Sequence, residues 1–184
     1  MNETVPASFD SVAKTLMTNR IAVDEYHDFV GRNLGSGRAN PSAAHPVGFL
    51  DRGTLKRLKE KGLDLSDSNV VVLESRLMNA GKYKGRHTQQ GNAPAESDWL
   101  NLVEYLVDAS IYLDKGSLIF LRQVGESRFV KIAVDLDVDH NFKPISWSKP
   151  FLPKVDSMYL IDISTEQHRG NDAYNDILKL PKIR

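Results

Sequence analysis

The run Ile111-Tyr112-Leu113-Asp114-Lys115-Gly116-Ser117-Leu118-Ile119-Phe120-Leu121-Arg122-Gln123-Val124-Gly125-Glu126-Ser127-Arg128-Phe129-Val130-Lys131-Ile132-Ala133-Val134-Asp135 decides the fold class. Its side chains repeat with a period of two, the mark of β-strands. Ile111 to Leu113, Leu118 to Val124 and Phe129 to Asp135 read as strands, and Met158 to Ile163 as a fourth. Asp114-Lys115-Gly116-Ser117 and Gly125-Glu126-Ser127 are polar and short enough to be hairpin connections, so neighbouring strands run antiparallel. Residues 140–156 hold Pro144, Pro150 and Pro153, which suits an extended crossover better than a ladder strand.

Upstream of this run the period is helical. Trp99, Leu102, Val103 and Leu106 form one face of a helix opening near Pro94 or Ser97, with Glu96 and Asp98 complementing its positive end. Asn69 to Glu74, with three consecutive valines, reads as a strand. A short helix from about Thr54 carries Leu55 and Leu58 inward, and Gly62 supplies a left-handed residue to end it. Nearer the start, Ser8 can cap a helix bearing Phe9, Val12, Ala13, Leu16 and Met17. A second, after Asp24, carries Tyr26, Phe29, Val30 and Leu34. Gly35-Ser36-Gly37-Arg38-Ala39-Asn40-Pro41 is a flexible break that Pro46 and Gly48 extend. The sequence therefore predicts an α+β protein: N-terminal helices, then a helix packed on one face of an antiparallel sheet, with a closing helix over Ala173 to Leu180. The expected division is a helical extension over residues 1–47 and a main domain over 48–184.

Composition sets the outer limits. With 184 residues, 41% apolar and 26% charged, the chain can bury a core. There are no cysteines, which excludes disulfides, thiolate nucleophiles and Cys-ligated zinc. The apolar runs are too short to span a bilayer, and Met1-Asn2-Glu3-Thr4 lacks the start of a signal peptide. The expected location is cytoplasmic, or inside a target cell reached without a conventional signal. The 24 basic and 24 acidic side chains cancel, against the basic excess usual in nucleic-acid binders. Their distribution is segregated: Arg76, Lys82, Lys84 and Arg86 stand without an acid between Ser75 and Ala95, and acids dominate from Glu96 to Asp114.

The chemistry concentrates in Lys82-Tyr83-Lys84-Gly85-Arg86-His87, read as a loop between the buried strand and the amphipathic helix. An imidazole that titrates near neutrality among fixed cations can break an RNA backbone without metal. A base removes the 2′-hydroxyl proton, the oxygen attacks phosphorus, and cations offset the growing phosphoryl charge. The same composition also describes a solvated basic loop. A second polar cluster, Ser164-Thr165-Glu166-Gln167-His168-Arg169, follows the last strand, where hydroxyls could grip phosphate and His168 could protonate a leaving oxygen. Trp147 could stack a base or anchor the crossover. Asp135, Asp137 and Asp139 alternate as hard-oxygen ligands would, but lack the glycine and distal glutamate of a calcium loop. His27, His45 and His140 have no partner pattern.

The stretch from Leu55 to about Thr165 resembles the phage-encoded branch of the barnase, EndoU, colicin and RelE nuclease superfamily. The shared pattern is the short helix ending at Gly62, the strand Val70-Val71-Val72-Leu73 and a basic loop closing on His87. The helix with Trp99 and Leu102 follows, then the antiparallel strands, the last ending in Ser164-Thr165. The resemblance covers roughly three fifths of the chain. It implies a barnase-like fold and a toxin domain of phage or polymorphic-toxin proteins that cleaves RNA without metal or other cofactor. His87, Arg86, Lys84, Ser164 and Thr165 would be the catalytic set, with Lys82, His168 and Trp147 as substrate contacts. RNA is the implied partner, together with a neutralising immunity or antitoxin protein. Relatives carry a second histidine a few residues before the His87 position; here Asn79, Lys82 and Lys84 stand there, which leaves the base open. A non-catalytic RNA- or protein-binding module on the same fold is the rival expectation. An ADP-ribosyltransferase, suggested by Arg76 after a strand and by the Ser164-Thr165 strand end, is a third, although Glu166 lacks the usual two-glutamate spacing.

Overall fold

The computed structural model describes residues 20–34, 44–65, 68–82, 92–139, 141–143, 153–164 and 170–184. They form an α+β fold around a six-stranded, mixed, strongly curled half-barrel sheet. The strands are β1 (Ala44–Phe49), β2 (Asn69–Leu73), β3 (Ser110–Asp114), β4 (Ser117–Gln123), β5 (Arg128–Asp135) and β6 (Lys154–Asp162), in the order β1-β2-β6-β5-β4-β3. From β3 to β6 every pairing is antiparallel, as the alternation predicts. The β3–β4 connection is tight: Lys115 is left-handed (φ 54), and a Cβ on Gly116 would lie 2.3 Å from the Val138 carbonyl oxygen. Only glycine fits beneath that oxygen.

Two parts of the sheet differ from expectation. β6 starts at Lys154, inside the expected crossover, and Asp156 is the extra residue of a bulge: Ala133 faces Ser157 and Val134 faces Val155. At the other side, the stretch around Pro46 and Gly48 is strand, not an extension of the flexible break. β1 pairs antiparallel with β2, with a register shift between Pro46 and Gly48. An edge strand with a bulge tolerates both residues, because a proline without N–H costs no ladder bond there. β2 in turn lies parallel to β6 through Val71 and Lys154, which makes the sheet mixed.

Both faces of the sheet are covered, not one. The larger face packs against α1 (Arg20–Asn33), α2 (Arg52–Glu60), α3 (Glu74–Lys82), α4 (Glu96–Leu100) and α5 (Leu102–Val107). Tyr26, Phe29, Val30, Leu58, Leu77, Trp99, Leu102 and Leu106 join Leu118, Phe120, Val130 and Ile132 in one buried cluster. The Tyr26 hydroxyl donates to the Trp99 carbonyl, tying α1 to α4, and burial pushes its phenol well above the usual range. α2 begins where Asp51 Oδ1 accepts from Thr54 N at 2.6 Å. It ends at Gly62 (φ 95), where Gly62 N donates to Lys59 O at 2.9 Å and Leu63 N to Leu58 O at 2.9 Å. Those two bonds satisfy otherwise unpaired helix carbonyls while Leu58 and Leu63 are both buried.

The opposite face is covered by α6 (Gly170–Leu178), whose Ile177, Tyr174 and Ala173 meet Tyr112, Ile119, Leu121, Phe129 and Ile161. After α6 the chain runs back along the β3 edge: Leu113 N donates to Pro181 O and Ile183 N to Ile111 O, at 2.9 and 2.7 Å. Arg184 then donates to the carbonyls of Leu106, Val107 and Ala109 at the end of α5, and to Asp51 Oδ2 at 3.2 Å. Among the described residues, no helix is long and apolar enough to cross a membrane.

Candidate functional site

The late-strand cluster is centred on Asp162, the last residue of β6. Its Oδ1 accepts three hydrogen bonds: from Ser164 Oγ at 2.6 Å, from Ser164 N at 2.9 Å and from Ser127 Oγ at 3.1 Å. Ser127 belongs to the β4–β5 turn, and its carbonyl also accepts from Ile163 N at 2.9 Å, so the turn and the end of β6 are clamped together. The Ser164 hydroxyl and N–H, then the Ser127 hydroxyl and the nearby Arg128, hold the Asp162 carboxyl below the usual carboxylate range. Arg128 is directly opposite Asp162 in the β5–β6 register. Ser164 itself is exposed.

The segment with the basic residues and His87 is bounded by two elements that both touch β6. On its N-terminal side is α3, which follows β2 without a break; the sequence reading places a loop there. Leu77 buries the helix against the core, and Arg76 donates to Asp156 Oδ1 at 2.9 Å. Arg76 is thereby engaged in an ion pair at the surface. On the C-terminal side, the Asn92 carbonyl accepts from Leu160 N at 2.9 Å. Among the described residues, β2 pairs with β6 at Val71 and Lys154, and further along that edge Asn92 takes over.

Lys82 is the last residue of α3. Lys84, Arg86, His87, Trp147, Thr165 and His168 lie outside the described residues, as does His140. Of the residues expected to form the nuclease site, Ser164 is the one whose side-chain contacts are defined. The 135–139 aspartates act as turn formers: Asp135 Oδ1 accepts from Asp137 N at 2.8 Å, and Asp139 Oδ1 accepts from Asn141 N and Lys143 N at 2.8 and 3.0 Å. Asp137 is left-handed (φ 56) and pairs with Lys154 at 3.6 Å. Among the described residues no group of three His, Asp or Glu side chains could hold a metal ion. His45 packs on Tyr26 and Phe29, with ring centroids 5.5 and 5.3 Å away, and so braces β1 against α1.

Sequence reasoning passed over Asp162 and Ser127. The signal available was Asp-x-Ser at a strand end, the spacing at which a carboxylate bonds the backbone two residues on. Comparison with protein-family models, curated proteins and solved structures finds no match to this chain.

Proposed function

We propose that this chain is a metal-independent endoribonuclease of the toxin type, a phage-type member of the barnase, EndoU, colicin and RelE-like superfamily on a barnase-like fold. RNA is its substrate and a neutralising immunity or antitoxin protein its regulatory partner. In this reading α4 and α5 are the helix that precedes the nuclease sheet, and β3 to β6 are that sheet. His87 acts as general base or acid, Arg86 and Lys84 offset phosphoryl charge, and the strand-end residues Ser164 and Thr165 hold the reacting nucleotide. Lys82, His168 and Trp147 are further contacts.

The observation that carries the reading is the Leu160 N to Asn92 O bond. His87 stands five residues before Asn92, and five residues of chain reach at most about 17 Å. Ser164 stands four residues after Leu160, the last two of them in the turn that follows β6, so at most about 13 Å along the chain. The bond thus ties the segment that bears His87 and the strand end that bears Ser164 to neighbouring points on β6, which supports a shared substrate. The test is cleavage of RNA by the purified protein in EDTA. Cleavage should persist and fall by about 10²- to 10⁴-fold in His87→Ala. Intact RNA across several RNA species and pH values would sink the proposal.

The second reading, a non-catalytic RNA- or protein-binding module, is favoured by the carboxylate at the strand end and by the pairing of Arg76, Arg122 and Lys154 with aspartates. It predicts salt-sensitive binding without turnover.

A further inference from the structure

A serine hydroxyl has one proton, and that of Ser164 is spent on Asp162 at 2.6 Å. What Ser164 Oγ offers outward is therefore a lone pair. Phosphate oxygens are acceptors and carry negative charge, so they match neither that lone pair nor the carboxylate behind it. A neutral hydroxyl matches both. On the RNA backbone the group that fits is the ribose 2′-hydroxyl, which donates as well as accepts and is missing from DNA.

We infer that the end of β6 takes the ribose 2′-hydroxyl as a hydrogen-bond donor to Ser164 Oγ, and that Asp162 is the positioning residue that turns the Ser164 hydroxyl so. The inference rests on the ribonuclease proposal and narrows it: this strand end selects RNA over DNA, and phosphate is held elsewhere. Ser127 supports the arrangement from the neighbouring turn, because its hydroxyl at 3.1 Å shares the same Asp162 oxygen. The carboxylate stays an acceptor through neutral pH, since the bonds it receives lower its proton affinity.

The probes are nucleoside 3′-monophosphates, which have no phosphodiester to cleave, in ribo, 2′-deoxy and 2′-fluoro forms. The fluoro form cannot donate at the 2′ position. With the full chain, binding followed by NMR shifts should favour the ribo form about ten-fold over the other two. Ser164→Thr should keep most of that preference. Ser164→Ala, and Asp162→Asn where it folds, should bring the three within about two-fold. A preference that survives Ser164→Ala overturns the inference, as does a wild-type protein that binds all three equally. If RNA is cleaved but the preference is absent or insensitive to Ser164, the inference falls and the ribonuclease stands. If the preference follows Ser164 but no RNA is cleaved, the site stands and the catalytic reading falls.

Discussion

Among the described residues, five helices bury Phe120, Leu118, Ile132 and Val130 beneath Tyr26, Trp99 and Leu102 on one face of the sheet; on the other, α6 and Leu180 just after it cover Ile119, Leu121, Phe129 and Ile161. The two faces come from the same strands, alternate residues pointing each way. They differ in what the rest of the chain supplies. Phe120 is fully buried, whereas Tyr159, Ala133, Ile163 and Tyr174 remain half-buried around the smaller cluster, and Leu178 on α6 is exposed. The contrast assigns stability mainly to the first face. Phe120→Ala should cost about 3–5 kcal/mol, a large share of the roughly 5–15 kcal/mol typical of a domain. Ile177→Ala should cost nearer 2 kcal/mol, since α6 can settle onto its partners. Urea unfolding of both variants is the measurement, and equal losses would break the contrast.

The same alternation explains what was readable in the sequence. β3, β4 and β5 were legible to within a residue or two because each buries both faces of an antiparallel ladder between polar turns. The capped α2 was legible because Asp51, Leu58 and Gly62 are local signals. β1 was hidden by Pro46 and Gly48, whose reading as a break is right for isolated chain and wrong at a bulged sheet edge. α3 was hidden by its charge: among its described side chains Leu77 is the one fully buried, and Arg76 looks like loop until Asp156 supplies a partner. At the candidate site, Ser164 was legible as a hydroxyl after a strand. Asp162 was legible only in part: the Asp-x-Ser spacing reports its bonds to Ser164, and no local pattern reports the third, from Ser127, 35 residues away.

A middle-sized effect tests how the larger face holds α1. Tyr26→Phe removes the bond to the Trp99 carbonyl and leaves that oxygen buried, a loss of about 1 kcal/mol near neutral pH. The pH dependence has a definite sign. Burial raises the Tyr26 pKa in the folded state, so its contribution is complete below the unfolded value of about 10 and is lost as pH rises above it. Wild type should therefore lose stability in alkali faster than Tyr26→Phe. Parallel alkaline curves for the two proteins would mean that α1 is not anchored through this phenol.

The smallest effect belongs to the end of β6, where the faces meet solvent. Asp162 is lowered in the folded state, chiefly by the Ser164 hydroxyl and N–H, so the sign is opposite to that of Tyr26. Its contribution is present above the unfolded carboxylate pKa of about 3.9 and is lost as pH falls through the lower, folded value. Because the group is at the surface, solvent screening keeps the stability change small. The titration itself is the sharper observable: the side-chain carboxyl resonance of Asp162 should titrate below the usual range and move up in Ser164→Ala, with a smaller rise in Ser127→Ala. The order of those two shifts matters more than their size. If Ser127→Ala moves the titration as far as Ser164→Ala, the carboxylate serves the β4–β5 turn first. Ser164 would then keep its proton for a phosphate, and the strand end would lose the acceptor character that distinguishes a ribose hydroxyl from every other group on a nucleic acid backbone.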